Sequence, residues 1–493
     1  MAAIASPVDP TRPDLSARLW REPLPREHGF EPLTIEGKLP PELSGTVFRN
    51  GPGTVGVGAD RYQHPFEGDG AVTAIRLGGG QALGASRVTG GPRLDEERAA
   101  NRLLYGISTS WPRRVANMLR GRQKNTANTS VMIWQDRLFA MVESSRPTEL
   151  EPRALVRIGE SDLGGVVRTA FSAHPHRVAA RHAIYNFGVE QGRHTQLVAY
   201  ELPDAGPARV LGRVLLGGAT MLHDFIATER HLVFFVSPVR VDVPRMLLGV
   251  GGFEELFRWR PELGTEVIAM PIDRPTEIVR FTTDAFFQWH FANAFERSAG
   301  RARSGFGGEG GSIVHDDDEI VIDYVRYPSF ASFYDIGRMY RGDTGVDGDV
   351  LAQGRYHRAT LSLSARTLRT EQVLDRPCEF PTLAPGAEGT PASTAYVVLG
   401  DLAAIGALDP TTGKLVTHEL PAGQRTTEPL FVPRPNAVRP DDGHVLALQH
   451  DEVSARAFLA IYDAARLPDG PVARAWFDHQ VPITFHGVYA ATR

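Results

Sequence analysis

Four of the sixteen histidines in this 493-residue chain share one setting. His174 in FSAHPHRV, His223 in TMLHDFIATE, His290 in FFQWHFANAFE and His486 in ITFHGVYA each sit among apolar or small residues at the edge of a β-like run. One such histidine, taken alone, is a core residue with a single hydrogen bond. Four together point to a metal, because neutral imidazoles suit Fe(II), Zn, Cu or Ni. An all-imidazole set leaves the double positive charge of the ion uncompensated among its direct ligands. A ligating imidazole ordinarily gives its second N–H to a carboxylate or carbonyl, so carboxylates are expected in otherwise apolar strands. Three occur: Glu143 in LFAMVESS, Glu379 in CEFPTL and Glu428 in TEPLFVPRP. Each reads equally as an exposed residue of an edge strand; if buried, each needs a partner to offset the cost of desolvating its charge.

The histidine spacings are too wide for one helix or one loop, so the elements that carry them must meet at a common axis. A β-propeller does this, bringing many strand ends to one channel. Short β-rich runs dominate from about residue 45 onward: LVFFV (232–236), EIVIDYV (319–325), TAYVVLG (394–400), HVLALQH (444–450) and FLAIYD (458–463). Turn clusters such as EGDG and PDDG separate them, the pattern of an all-β sandwich, barrel or propeller. With 50 Gly and 36 Pro, helical periodicity is only local, at 95–106, 112–122 and 252–259. No fixed-period repeat is visible, so a propeller does not follow from repeats. We expect an extended amino-terminal arm over 1–44 and a single large β domain over 45–493.

A formal charge of −5 and a pI near 6.4 give no electrostatic case for a nucleic-acid partner. One cysteine, Cys378, excludes an internal disulfide framework and a Cys-rich zinc site. The first residues lack the basic-then-apolar pattern of a secretory signal, and no stretch approaches about 20 apolar residues. A soluble, cytoplasmic chain is the expectation.

The segments FRNGPG (48–53), HPFEGDGAV (64–72), KNTANTSVMIWQDRLFAMVESSRPTELEP (124–152), SAHPHR, YNFG, LHDFIATE, HFANAFE, IVIDYVRYP, EFP, EPLFVPRP and VPITFHGVYA follow one another in this order. In content and order they resemble the carotenoid cleavage oxygenase family over most of the chain. The resemblance implies a seven-bladed β-propeller, capped by loops and short helices over an apolar tunnel. It implies one non-haem Fe(II) per chain on the axis, held by His174, His223, His290 and His486. Glu143, Glu379 and Glu428 match carboxylates behind three of these imidazoles, leaving His174 without one. Thr129, in ANTS, matches a residue beside an open coordination position, where its methyl restricts access.

The implied reaction is cleavage of a conjugated C=C bond of a carotenoid or apocarotenoid, with O2 as cosubstrate and two carbonyl products. Relatives that cleave stilbenes carry a lysine just before the residue matching Glu143; this chain has Val142, which favours an apocarotenoid. A stilbene-cleaving dioxygenase is the alternative, followed by a non-enzymatic binding propeller with a structural metal and by a zinc hydrolase. Phe66, Trp289, Phe291 and Phe485 read as tunnel lining or as propeller core. The segments 111–122 and 243–257 mix apolar residues with arginines or polar flanks, as an interfacial segment or a rim helix would. Departures from the family pattern are Pro65, Arg297 and a glycine-rich connection over 306–312. The acidic run at 313–320 reads as a charged hairpin turn rather than a Ca2+ loop.

Overall fold

The computed structural model describes residues 18–192, 194–298, 318–343, 351–392, 394–439 and 441–492. The β-rich runs pair into seven antiparallel sheets of four to six strands, which form the blades of a propeller, beside two short two-stranded ribbons. LVFFV lies in strand His231–Val236 and is buried along its length, because each blade is packed between two others and both faces are covered. Alternation gives way to continuous apolar runs for that reason.

The ring closes twice. The carboxy-terminal strand His486–Ala491 pairs with Gly45–Pro52 in the first blade, and Thr34–Gly37 pairs with Pro471–Trp476 in the last. His28–Pro32 adds an outer strand to the first blade. From residue 28 onward, therefore, the expected amino-terminal arm is woven into two blades.

Seven inner strands surround the axis: His486–Ala491, Ser130–Trp134, His176–Val178, Ile226–Ala227, Phe287–Ser298, Cys378–Thr382 and the broken pair Gln424–Thr426 and Leu430–Pro433. All run the same way along the channel, so their starts gather at one end. Connections after second strands emerge at that end too, as does the link from Gln81–Val88 to Ser130–Trp134, and together they carry the cap. Its helices are α1 (Pro92–Ala100), α2 (Trp111–Leu119), α3 (Val243–Leu248) and α4 (Ala331–Arg341).

Helices α1 and α2 overlap the segments expected to be helical, 95–106 and 112–122, each beginning slightly earlier and ending earlier. The third expectation, 252–259, is corrected: only Glu254–Leu256 makes a single 3-10 turn, and Phe257–Trp259 pairs as a strand with Val239–Val241. Tertiary pairing outweighs a weak local preference there. Pro65 occupies the first position of the 3-10 turn Pro65–Glu67, where a missing N–H costs nothing. Arg297 pairs across the sheet with Glu319 at 2.8 Å. The stretch 306–312 and the acidic run up to residue 317 lie outside the described residues.

Candidate metal centre

Each inner strand delivers one residue to the same end of the channel. His486 opens its strand; Thr129, His174 and His223 stand just before theirs; His290 and Glu379 lie within theirs. Glu428 sits in the interruption that Pro429 makes in the last. Glu143 arrives from the end of a second strand, Arg137–Met141. Register shifts between Gln288 and Phe291, which includes His290, and between Phe291 and Asn293 interrupt alternation, and such bulges re-aim side chains. Trp289 consequently packs 4.8 Å from the His223 ring, toward the cap. Phe291 packs between blades against Phe235 and Tyr324. The tunnel reading of Phe291 is therefore corrected to core, whereas Phe66 reaches both Trp289 and Phe485 at ring separations of 6.2 and 5.7 Å.

The donor atoms of His174, His223 and His290 lie within 4.8 Å of one another, and all three residues are buried. His223 Nε2 and His290 Nε2 face each other at 3.4 Å. The His486 ring adjoins them, its centroid 4.8 Å from that of His174 and 4.7 Å from that of His290.

Behind the rings stand the carboxylates. His290 Nδ1 lies 2.5 Å from Glu379 Oε2, and His486 Nδ1 lies 2.7 Å from Glu428 Oε1. His223 Nδ1 is 2.8 Å from Glu143 Oε1, an ion-pair approach poorly aligned for a hydrogen bond. Among the described residues no glutamate stands behind His174. Each carboxylate is itself held differently. Glu379 accepts from the Tyr327 hydroxyl at 2.9 Å and from Phe380 N at 2.7 Å. Glu428 accepts from Arg49 Nη1 at 2.8 Å and from Gly487 N at 2.9 Å. Glu143 is held more loosely, by the Thr129 hydroxyl at 3.5 Å and by its own backbone N–H. Phe380, whose ring stacks on His290, holds a φ of 52°, a left-handed conformation that strains an aromatic residue.

Burial, reinforced by His223, His486 and His290, holds His174 well below the ordinary imidazole range. Burial also opposes ionisation of Glu143 and Glu428, but the imidazoles they face outweigh it, and both carboxyls lie below their usual range. At His290 burial acts downward, and Glu379 more than reverses it.

These residues fit a divalent metal. The Nδ1 atoms of His223, His290 and His486 turn to carboxylates, leaving Nε2 for a ligand role. His174 Nε2 is buried without a hydrogen-bond partner, which is costly unless something else meets it. Three carboxylates against the single buried guanidinium of Arg49 also leave two negative charges, the complement of a divalent cation.

Sequence reasoning passed over Arg49 and Asp224, although both lie in quoted motifs. Asp224 Oδ1 is 3.0 Å from His176 Nε2 and accepts from Phe225 N at 2.7 Å; Oδ2 accepts from Phe291 N at 2.8 Å. One carboxylate thus ties together the segments bearing His174, His223 and His290. Burial would lower His176, yet Asp224 raises it to about 10, so this is a charged pair.

The family model for retinal pigment epithelial membrane protein (RPE65) matches residues 22–491. The chain belongs to the carotenoid cleavage oxygenase (RPE65) family. Within this oxygenase family, the apocarotenoid-15,15'-oxygenase of Synechocystis is 30% identical over 492 residues, covering 95% of this chain and 94% of the relative. The lignostilbene-alpha,beta-dioxygenase isozyme III of Sphingomonas paucimobilis is 26% identical over 493 residues, covering 95% of each. The solved structure of cobalt-substituted Synechocystis ACO superposes with a TM-score of 0.83 at 27% identity, over 97% of this chain and 98% of that one. Membership makes the chain a cleavage oxygenase with a buried three-histidine metal site at the centre of a seven-bladed propeller.

Proposed function

We propose that this oxygenase is a non-haem Fe(II) dioxygenase that cleaves one conjugated C=C bond of a carotenoid or apocarotenoid, giving two carbonyl products. The observation that carries the reading is the orientation of the rings: His174, His223 and His290 converge while carboxylates take the far nitrogens of His223, His290 and His486. In the proposal His486 is the fourth ligand, and Glu143, Glu379 and Glu428 orient imidazoles without binding metal. When bound, Fe(II) supplies the electron chemistry by which O2 reacts with an alkene.

The chain's own groups do the rest. Phe66, Trp289 and Phe485 present an apolar wall that holds one bond of the polyene against the site and keeps bulk water away. Thr129, with its hydroxyl turned to Asn128 and Glu143, is assigned to restricting access beside the histidines. Val142 offers a substrate packing only, which supports a polyene over a phenol that would forfeit water hydrogen bonds.

Such substrates dissolve in lipid, and we assign the cap to a membrane surface. Among the described residues fourteen large apolar side chains are exposed, and seven of them fall on residues 111–119 and 246–250. No helix among the described residues is long and apolar enough to cross a membrane, so contact would be interfacial. The test of the substrate is kcat/KM for an apocarotenal and for a hydroxystilbene on one iron-loaded preparation. The apocarotenal should be cleaved faster; faster stilbene cleavage would replace this substrate reading with the alternative.

A further inference from the structure

Away from the metal centre, a second pair of imidazoles meets where the propeller closes. His28 opens the outer strand His28–Pro32 of the first blade, and His479 follows Pro471–Trp476 in the last. Their ring centres are 5.0 Å apart and the planes nearly perpendicular, at 82°. His174 and His486 stand in almost the same relation, at 4.8 Å and 83°. With metal–nitrogen bonds of about 2.1 Å, two imidazoles sharing one ion at right or tetrahedral angles have centres about 4.5–5 Å apart.

The tautomers of both rings are fixed. His28 Nδ1 donates to Gly29 O at 2.9 Å, since a carbonyl can only accept. His479 Nδ1 lies 2.5 Å from Asp478 Oδ1, and that N–H, with Arg26, holds the carboxyl at about 2, so it accepts as well. Each Nε2 is then a bare lone pair, and both atoms are buried without a hydrogen-bond partner. Two acceptors cannot satisfy each other, and leaving both unmet is costly. The His28 side chain is 4% exposed, and burial keeps its ring below the ordinary imidazole range, so it is neutral at pH 7. One nitrogen given to a carbonyl or carboxylate and the other left open is how a metal-binding histidine is prepared. Beside the pair, Arg26 bridges Glu31 at 2.7 Å and Asp478 at 3.1 Å, one cation to two carboxylates, which favours a further positive charge.

We propose that His28 and His479 bind a second metal ion, a late divalent transition ion such as Zn(II) or Cu(II), which staples the first blade to the last. Neutral imidazole suits both ions. Among the described residues no third His, Cys, Asp or Glu donor joins the pair, so water completes the coordination and the ion is exchangeable. Only the closed propeller brings the two rings together, so binding stabilises closure by mass action.

The test is equilibrium dialysis of the iron-loaded, full-length protein against Zn(II) at neutral pH, counting iron and zinc together. Wild type should take up one zinc per chain and keep its iron. H28Q and H479Q should each lose zinc affinity by more than the roughly 10–100-fold that removal of an outer partner costs, and D478N, which removes only such a partner, by about that much. Zinc should raise the melting temperature of wild type and of neither histidine variant. His479 lies outside any strand, so H479Q keeps the test available if H28Q folds poorly. With Cu(II) in place of zinc, electron paramagnetic resonance should show two nitrogen ligands in wild type and one in either variant. No zinc uptake by wild type would overturn the site. So would uptake matched by loss of iron, which would put the zinc at the metal centre, and so would equal uptake by wild type and both histidine variants.

Discussion

Arg49 Nη1 donates to Glu428 Oε2 at 2.8 Å, and the other oxygen of that carboxylate lies 2.7 Å from His486 Nδ1. The guanidinium is 1% exposed and also binds Phe485 O, Glu428 O and Thr484 Oγ1. Arg49 comes from the first blade and Glu428 from the last, so this contact crosses the seam where the ring closes. Orientation of the last histidine and closure of the propeller thus share one side chain.

Replacing Arg49 by Met strands Glu428 as a buried charge. Breaking a buried pair from one side costs about 3–5 kcal/mol. Urea unfolding should show that loss, and metal affinity should fall with it; a variant as stable as wild type would mean Glu428 does not depend on Arg49.

The three glutamates should not be equivalent. Loss of such an outer carboxylate typically costs roughly 10–100-fold in metal affinity or activity. The Glu379 and Glu428 side chains are 2% and 8% exposed, whereas Glu143 is 29% exposed and meets the Thr129 hydroxyl at a long 3.5 Å. Glu143→Gln should therefore be the mildest of the three, measured by chelator competition. Ranking it the most severe would show that Glu143 does more than orient His223.

Asp224→Asn should loosen three ligand segments at once, because it weakens the charged link to His176 while keeping a near-isosteric side chain. We expect the metal-free protein to unfold at a lower temperature, as for any buried charged pair broken from one side, and the folded variant to bind metal more weakly. Wild-type metal affinity in the folded variant would assign Asp224 to general stability instead.

His450 is buried against Gln480, and burial lowers it to about 4. Its folded value lies below the ordinary 6.5, so below pH 6.5 the unfolded chain takes up a proton that the native state refuses. Native stability owed to this residue is then present above pH 6.5 and declines toward pH 4, by at most about 1.4 kcal/mol per pH unit. His450→Gln removes the effect, so the gap in unfolding free energy between wild type and variant should shift in favour of the variant from pH 7 to pH 5. A gap independent of pH would place an ionised imidazole in the native state.

The histidines were legible because each is a polar residue in an apolar run, and polar residues in such places need a reason. The number of blades was not legible as a repeat. Inner strands range from Ile226–Ala227 to Phe287–Ser298, and cap segments of unequal length interrupt the blades. Arg49 could have been singled out as a charge inside the strand Gly45–Pro52. Its partner could not, because 379 residues separate them and only closure of the ring brings them together. Phe291 was left between tunnel and core because the bulges on either side of it break the alternation on which facing is judged.

The central claim, oxidative cleavage at a histidine-held iron, is tested most directly by a short incubation of iron-loaded protein with an apocarotenal under 18O2. Borohydride quenching fixes the new carbonyl oxygens as alcohols before mass spectrometry. A dioxygenase places one 18O atom at each new terminus, and His486→Ala should give neither product. A second product carrying oxygen from water, or undiminished cleavage by the His486 variant, would contradict it.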